Sequence, residues 1–260
     1  MNQELEFAKK LARDAGDIMR QYFNQADISR YKGDNTIVTK ADTEINQMVI
    51  DRVCENYPDY GVYGEEDSFG RDRQKLWVCD PVDGTAMFAR GIPTAVFSLA
   101  LVIDGESALG AVYDPWTDRM YSAVKGGGAF CNDKPIRVND SRLGEKGVVS
   151  NIDIWPMAEL FPEMLHLLNE LNQDTYMVSI GSAINACMQV ARGSFVVETF
   201  AGTKGKNVDI AAAKIIVEEA GGKVTNIYGE EQRYDRDIKG AIISNGVVHD
   251  EILKMIKEVQ

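Results

Sequence analysis

The apolar residues of this chain change period as the chain proceeds. Leu5, Ala8, Leu11, Ala12, Ala15, Ile18, Met19 and Tyr22 fall three or four apart, which predicts an amphipathic helix over residues 3–23. After a turn at Lys32-Gly33-Asp34-Asn35, a second is predicted over 41–57, with Ile45, Val49 and Val53 on its inner face. The helical period then stops. Residues 75–79, 95–103, 107–113 and 119–124 are β-rich runs parted by Asp104-Gly105 and Asp114-Pro115, the pattern of an antiparallel meander. From residue 157 onward the two periods alternate. Helices are expected over 157–171, 182–191, 209–220 and 249–258, and strands over 175–179, 195–197, 223–227 and 240–244. Gly221-Gly222 suits the left-handed end of the 209–220 helix. This order predicts layered α/β structure in two sub-domains, residues 1–145 and 146–260.

Composition narrows the function. The chain of 260 residues is 45% apolar and 26% charged, ordinary for a globular enzyme with a sizeable core. Its net charge of −12 gives an acidic surface that repels nucleic acid and anionic lipid. No run approaches the apolar length of a membrane span, and the N-terminal stretch mixes charges into its apolar stripe, unlike a signal peptide. Cys54, Cys79, Cys131 and Cys187 form no CxxC pair and are expected to be free thiols in a reducing, cytoplasmic setting. With only His166 and His249 present, a histidine-rich zinc site is excluded. Gly126-Gly127-Gly128 lacks the strand–helix context of a nucleotide-binding loop and reads as a turn.

Three acidic clusters stand out. Gly64-Glu65-Glu66-Asp67 follows the apolar Val62-Tyr63, Asp80-Pro81-Val82-Asp83-Gly84-Thr85 follows the apolar 76–79 run, and Asp209 opens an apolar helix. A carboxylate at the end of a buried strand is costly to desolvate, and a second one three residues away repels it. A divalent cation answers both, and hard oxygen ligands suit magnesium. Gly84 lets the backbone approach a ligand, and Thr85 is expected to cap a short helix whose free N–H groups face an anion. Together these outline a metal-assisted phosphate site.

The same residues resemble the motifs of the inositol monophosphatase family. Residues 80–93, Asp80-Pro81-Val82-Asp83-Gly84-Thr85 through Gly91-Ile92-Pro93, resemble its DPxDGTxNFxxGxP signature. Gly64-Glu65-Glu66 resembles its GEE motif, Val38-Thr39-Lys40-Ala41-Asp42 its VTxAD motif, and Asp209 through Gly222 its WDxAAxxxIxxEAGG motif, all in the family's order. The resemblance implies an αβαβα sandwich, a homodimer, up to three magnesium ions and lithium sensitivity. It implies Glu65, Asp80, Asp83, Asp209 and the carbonyl of Val82 as metal ligands. Asp42 and Thr85 would orient or deprotonate the attacking water, Gly84 and Thr85 would offer N–H groups to phosphate, and Lys32 would lie in a loop near the third metal. Gly181-Ser182-Ala183 matches a substrate-lining motif, placing Ala183 on the substrate side. The implied reaction is hydrolysis of a small-metabolite phosphate monoester by activated water, with no phosphoenzyme.

The chain departs from the motifs at Met87, where the family has Asn, and at Val208, where it has Trp. Glu198 is the candidate for the family's substrate-binding glutamate, although an ungapped alignment places Phe200 there. Lys204 and Lys206 in the 199–207 segment suit a second phosphate, which would favour fructose 1,6-bisphosphate or a 3'(2'),5'-bisphosphate nucleotide as substrate; histidinol phosphate is another option. One rival is an aspartyl-phosphate phosphatase of the haloacid dehalogenase type, whose DxDxT acids are one residue closer together than Asp80 and Asp83. Another is a regulatory, partner-binding member of the same family.

Overall fold

The two N-terminal helices lie where the apolar period places them. Helix α1 (Asn2–Tyr22) buries Ala8, Leu11, Ala12, Ala15 and Met19. After an antiparallel pair of β1 (Ile28–Tyr31) and β2 (Ile37–Thr39), helix α2 (Lys40–Asn56) buries Ile45, Val49 and Val53. This computed structural model describes every residue except 26–27, 32–35, 154–161, 201–209, 239 and 259–260, and omits the side chains of 162–164.

Next come β3 (Gly61–Gly64), β4 (Ser68–Phe69), β5 (Lys75–Asp83) and a one-turn helix, α3 (Thr85–Phe88). The meander follows as β6 (Val96–Ile103), β7 (Glu106–Asp114), β8 (Arg119–Val124), β9 (Ala129–Cys131) and β10 (Lys134–Pro135). These strands form one eight-stranded sheet in the order β10-β9-β8-β7-β6-β5-β3-β4, in which only β3 and β5 run parallel. The second half supplies β11 (Val149–Asp153), α4 (Pro162–Asp174), β12 (Tyr176–Val178), α5 (Ala183–Ala191), β13 (Val197–Phe200), α6 (Ala211–Glu219), β14 (Lys223–Thr225), β15 (Ala241–Ser244) and α7 (His249–Lys257). Its five strands pair in the order β12-β11-β13-β15-β14.

Three apolar clusters set the layers. Helices α1 and α2 cover one face of the large sheet, and α5 and α6 cover the other. The five-stranded sheet lies beyond α5 and α6, with α4 and α7 on its outer side. The result is the αβαβα sandwich. Each sheet is drawn from one side of residue 146, but the cluster between them is shared: Val96, Ala100, Val112 and Tyr121 pack with Ile184, Met188, Ile215 and Ile216.

Several details depart from the sequence pattern. The strand expected at 195–197 runs instead from Val197 to Phe200, and β11 has no counterpart in the predicted elements. Both strands carry polar residues that are nevertheless buried: Ser150, Asn151, Glu198 and Thr199 are 0% exposed. The Gly126-Gly127-Gly128 turn grips a carboxylate: Gly126 N donates to Glu219 Oε1 (2.6 Å) and Gly128 N to Glu219 Oε2 (2.7 Å). All four cysteines are free, with Cys79 and Cys187 buried. Among the described residues no helix is long and apolar enough to cross a membrane.

His249 ties the last layer together. It is fully buried, with Thr225 Oγ1 3.0 Å from Nε2 and Ser244 Oγ 2.9 Å from Nδ1, so α7 is pinned to β14 and β15. Burial, helped by the charge of Lys223, depresses its pKa from 6.5 to about 4. Between these values the unfolded chain binds a proton that the folded protein refuses, so stability contributed by neutral His249 is complete above pH 6.5 and is lost as pH falls toward 4. Urea midpoints from pH 7 to 4.5 are expected to fall more steeply in the wild type than in His249→Asn, by on the order of 2 kcal/mol across the window. Parallel curves would show that His249 does not carry this pH dependence.

Candidate active site

The site begins where β3 and β5 end side by side. Gly64 pairs with Cys79 in parallel register and Glu65 N donates to Cys79 O at 3.1 Å, so Glu65 and Asp80 leave adjacent strands at the same level. Asp80 pairs with Ser98 and Asp83 with Val96, which leaves one extra residue in β5. In a regular strand residues three apart point to opposite faces. This bulge turns Asp80 and Asp83 to the same face, and Pro81, which has no N–H to give to a ladder, sits within it.

Both carboxylates are buried, at 2% and 8% exposure. Val82 N donates to Asp80 Oδ1 at 3.0 Å. Ser182 Oγ and Ile184 N (2.9 Å) both donate to Asp83 Oδ2. The pKa of Asp83 is nonetheless raised to about 7, by burial first and then by the charges of Asp153 and Glu65.

Asp42 reaches the same place from α2. It is the third residue of that helix and completes a capping box, accepting from Thr39 N at 2.8 Å and from the Thr39 hydroxyl through Oδ2. Its other oxygen lies 3.1 Å from Thr85 Oγ1, so the capping role and the site role are filled at once. Burial, then the charges of Glu65 and Glu66, raise its pKa to about 7. Carboxylate oxygens of Asp42, Glu65 and Glu66 all lie within 4.8 Å of one another. Glu66 also accepts from Arg30 Nη2 (2.8 Å) on β1. An all-oxygen set of three crowded carboxylates fits a hard divalent cation.

The turn beyond Asp83 differs in one respect from the sequence reading. The cap of α3 is Gly84, with φ 88°, and Thr85 is the first helical residue. The Thr85 hydroxyl therefore points back, donating to Val82 O at 2.8 Å and lying beside Asp42, instead of capping the helix. The N–H groups of Gly84 and Thr85 have no acceptor among the described residues. Ile92 N donates to Met87 O at 3.0 Å, and the Met87 side chain packs on Gly181, where an added Cβ would lie 2.7 Å from its Cγ.

On the substrate side, Ala183 opens α5 beside the Ser182–Asp83 contact and is 1% exposed. Glu198 does not reach the surface. It is 0% exposed, accepts from Asn151 Nδ2, and is held well above the usual carboxylate range by burial and by Asp153. Asp209, Lys32, Lys204, Lys206 and Val208 lie outside the described residues. Ser182, Asn151 and Asp153 were missed as site partners. Ser182 was within reach, since it sits inside the Gly181-Ser182-Ala183 motif, whereas nothing in the local pattern marks Asn151 or Asp153.

An αβαβα sandwich that crowds carboxylates against a glycine turn with open N–H groups is the build of a metal-dependent phosphatase. The chain belongs to the inositol monophosphatase family, whose model matches residues 1–260, and is a phosphoric monoester hydrolase. It is 35% identical over 257 residues to the fructose-1,6-bisphosphatase/inositol-1-monophosphatase of Thermotoga maritima, covering 98% of this chain and 96% of that one. It is 33% identical over 234 residues to the Nus factor SuhB of Pasteurella multocida, covering 88% and 87%. A solved structure of the Thermotoga maritima IMPase superposes with a TM-score of 0.87 at 32% identity, covering 100% and 98%.

Proposed function

We propose that the protein hydrolyses the phosphate monoester of a small polyol or sugar with magnesium as its ion, held by Glu65, Asp80, Asp83, the carbonyl of Val82 and, by motif position, Asp209. The observation that carries this reading is the bulge that brings Asp80 and Asp83 to one face beside Glu65. Bound magnesium would supply Lewis acidity and offset the charge of the phosphoryl group. The chain's own groups do the rest. The N–H groups of Gly84 and Thr85 bind phosphate oxygens. The Thr85 hydroxyl, directed by Val82 O, orients water against Asp42, whose carboxylate accepts the proton. A homodimer in the cytoplasm, and inhibition by lithium, belong to the same proposal. The dual name of the Thermotoga maritima relative supports including fructose 1,6-bisphosphate among the substrates.

Phosphate release from inositol, sugar, histidinol and nucleotide phosphates, with and without magnesium, tests the substrate class. Asp42→Asn is expected to lower kcat about a hundredfold with KM little changed, because it removes the proton acceptor and leaves the binding groups. Turnover within a few-fold of wild type would remove Asp42 from the reaction.

A further inference from the structure

Behind Asp83 lies a second, buried acidic group that the proposed reaction does not use. Asp153 ends β11 and is 5% exposed; Glu198, on the neighbouring parallel strand β13, is 0% exposed. The two carboxyls share one face of adjacent strands, and among the described residues each has one buried oxygen, Asp153 Oδ2 and Glu198 Oε1, with no hydrogen-bond partner. Two adjacent buried carboxyls, each short of a partner, are satisfied by one shared proton. The pair then carries a single charge.

The remaining atoms of this group all hold one segment. Ser179 Oγ donates to Asp153 Oδ1 at 3.0 Å, and the Gly181 N–H stabilises the Asp153 charge. Asn151 uses both ends of its amide: Nδ2 donates to Glu198 Oε2, and Oδ1 accepts from Ile180 N at 3.0 Å. The segment so held, 179–184, which runs into α5, delivers Ser182 Oγ and Ile184 N to Asp83 Oδ2. Both bonds use that one oxygen. Among the described residues Oδ1 accepts no hydrogen bond, and so is the oxygen available to a cation.

We propose that Asp153 is a positioning residue for the phosphatase reaction: through the 179–184 segment it fixes which oxygen Asp83 presents to the cation. Glu198 supports it as a neutral acid, which explains why a glutamate stands in the core rather than at the substrate. The inference rests on the reading of Asp83 as a cation ligand.

Calorimetry with magnesium alone, amide exchange at Gly181 and Ile184, and steady-state kinetics test it together. Asp153→Ala is expected to weaken magnesium binding about tenfold, as partners behind metal ligands do. Exchange at Ile184 should quicken by about tenfold while the substrate KM stays within about twofold. Glu198→Gln offers an amide donor where the acid proton sits and keeps an oxygen for Asn151, so it should bind magnesium within about threefold of wild type, whereas Glu198→Ala should resemble Asp153→Ala. A folded Asp153→Ala with unchanged Ile184 exchange and unchanged magnesium affinity would overturn the proposal, as would Glu198→Gln behaving like Glu198→Ala. If Asp153→Ala does not fold, Ser179→Ala carries the test: a shift of about threefold in the same direction supports it, and none overturns it. Asp83→Asn separates the two readings. Magnesium affinity indifferent to Asp83→Asn, with Ile184 exchange still answering to Asp153→Ala, would place the failure in the cation assignment and not in the 179–184 segment.

Discussion

Asp83→Asn is expected to lower phosphate release by about a thousandfold while leaving the metal-free protein at least as stable as the wild type. The two halves of this expectation have one cause. Asp83 is buried, faces the charges of Asp153 and Glu65, and has its pKa raised to about 7. Ionised, it opposes folding; neutral at neutral pH, it could not serve a cation. The amide removes the charge that opposes folding and with it the charge proposed to bind the cation. Ser182 Oγ and Ile184 N still find an oxygen, so the geometry of that segment survives. Magnesium should stabilise the wild type by about 2.7 kcal/mol at a hundred times its Kd, and the variant by much less. Activity comes from phosphate release, stability from urea melts with and without magnesium. A variant that loses stability in the absence of metal would show that the cluster is built for folding and not for binding.

Gly84→Ala is expected to cost about 2 to 3 kcal/mol and to lower kcat by tenfold or more. Gly84 holds φ 88°, which an alanine adopts only under strain. A Cβ there would lie 2.9 Å from Gly181 O and 2.9 Å from Ser182 Cβ, so the turn carrying the open N–H groups would be pushed off the segment that hydrogen-bonds Asp83. The stability loss is read from denaturant midpoints and the catalytic loss from kcat at saturating magnesium. Wild-type turnover at reduced stability would separate the strained turn from the chemistry.

How much of this was legible in the sequence depended on whether neighbours along the chain carried the information. Helix α1 was legible because its apolar stripe is local, and the meander because its turns are. Glu65, Asp80 and Asp83 stood out because acids beside apolar strands are costly, and local order exposes that. Their common face was not legible: it comes from a bulge defined by the partner strand β6, which no spacing within 80–83 announces. Thr85 was read as a cap from residue type alone. Gly84 takes that role because only it tolerates the left-handed backbone the turn needs, and the hydroxyl is then free to meet Asp42. Strand β11 was invisible because Ser150, Asn151 and Asp153 look like loop residues until their partners Thr175, Glu198 and Ser179 are brought up from elsewhere in the chain. Glu198 was drawn toward the substrate for the same reason, since a lone glutamate gives no sign of a buried partner.

The middle helical layer has a consequence for anyone dissecting the molecule. A fragment ending near residue 145 would keep every strand of the large sheet yet lose α5 and α6, stripping one side of that sheet of its cover and leaving Val96, Ala100, Val112 and Tyr121 in water. Such a piece would be sticky rather than soluble. The chain has a seam in its strand order, but a cut along it is expected to leave the N-terminal piece without the cover its sheet needs.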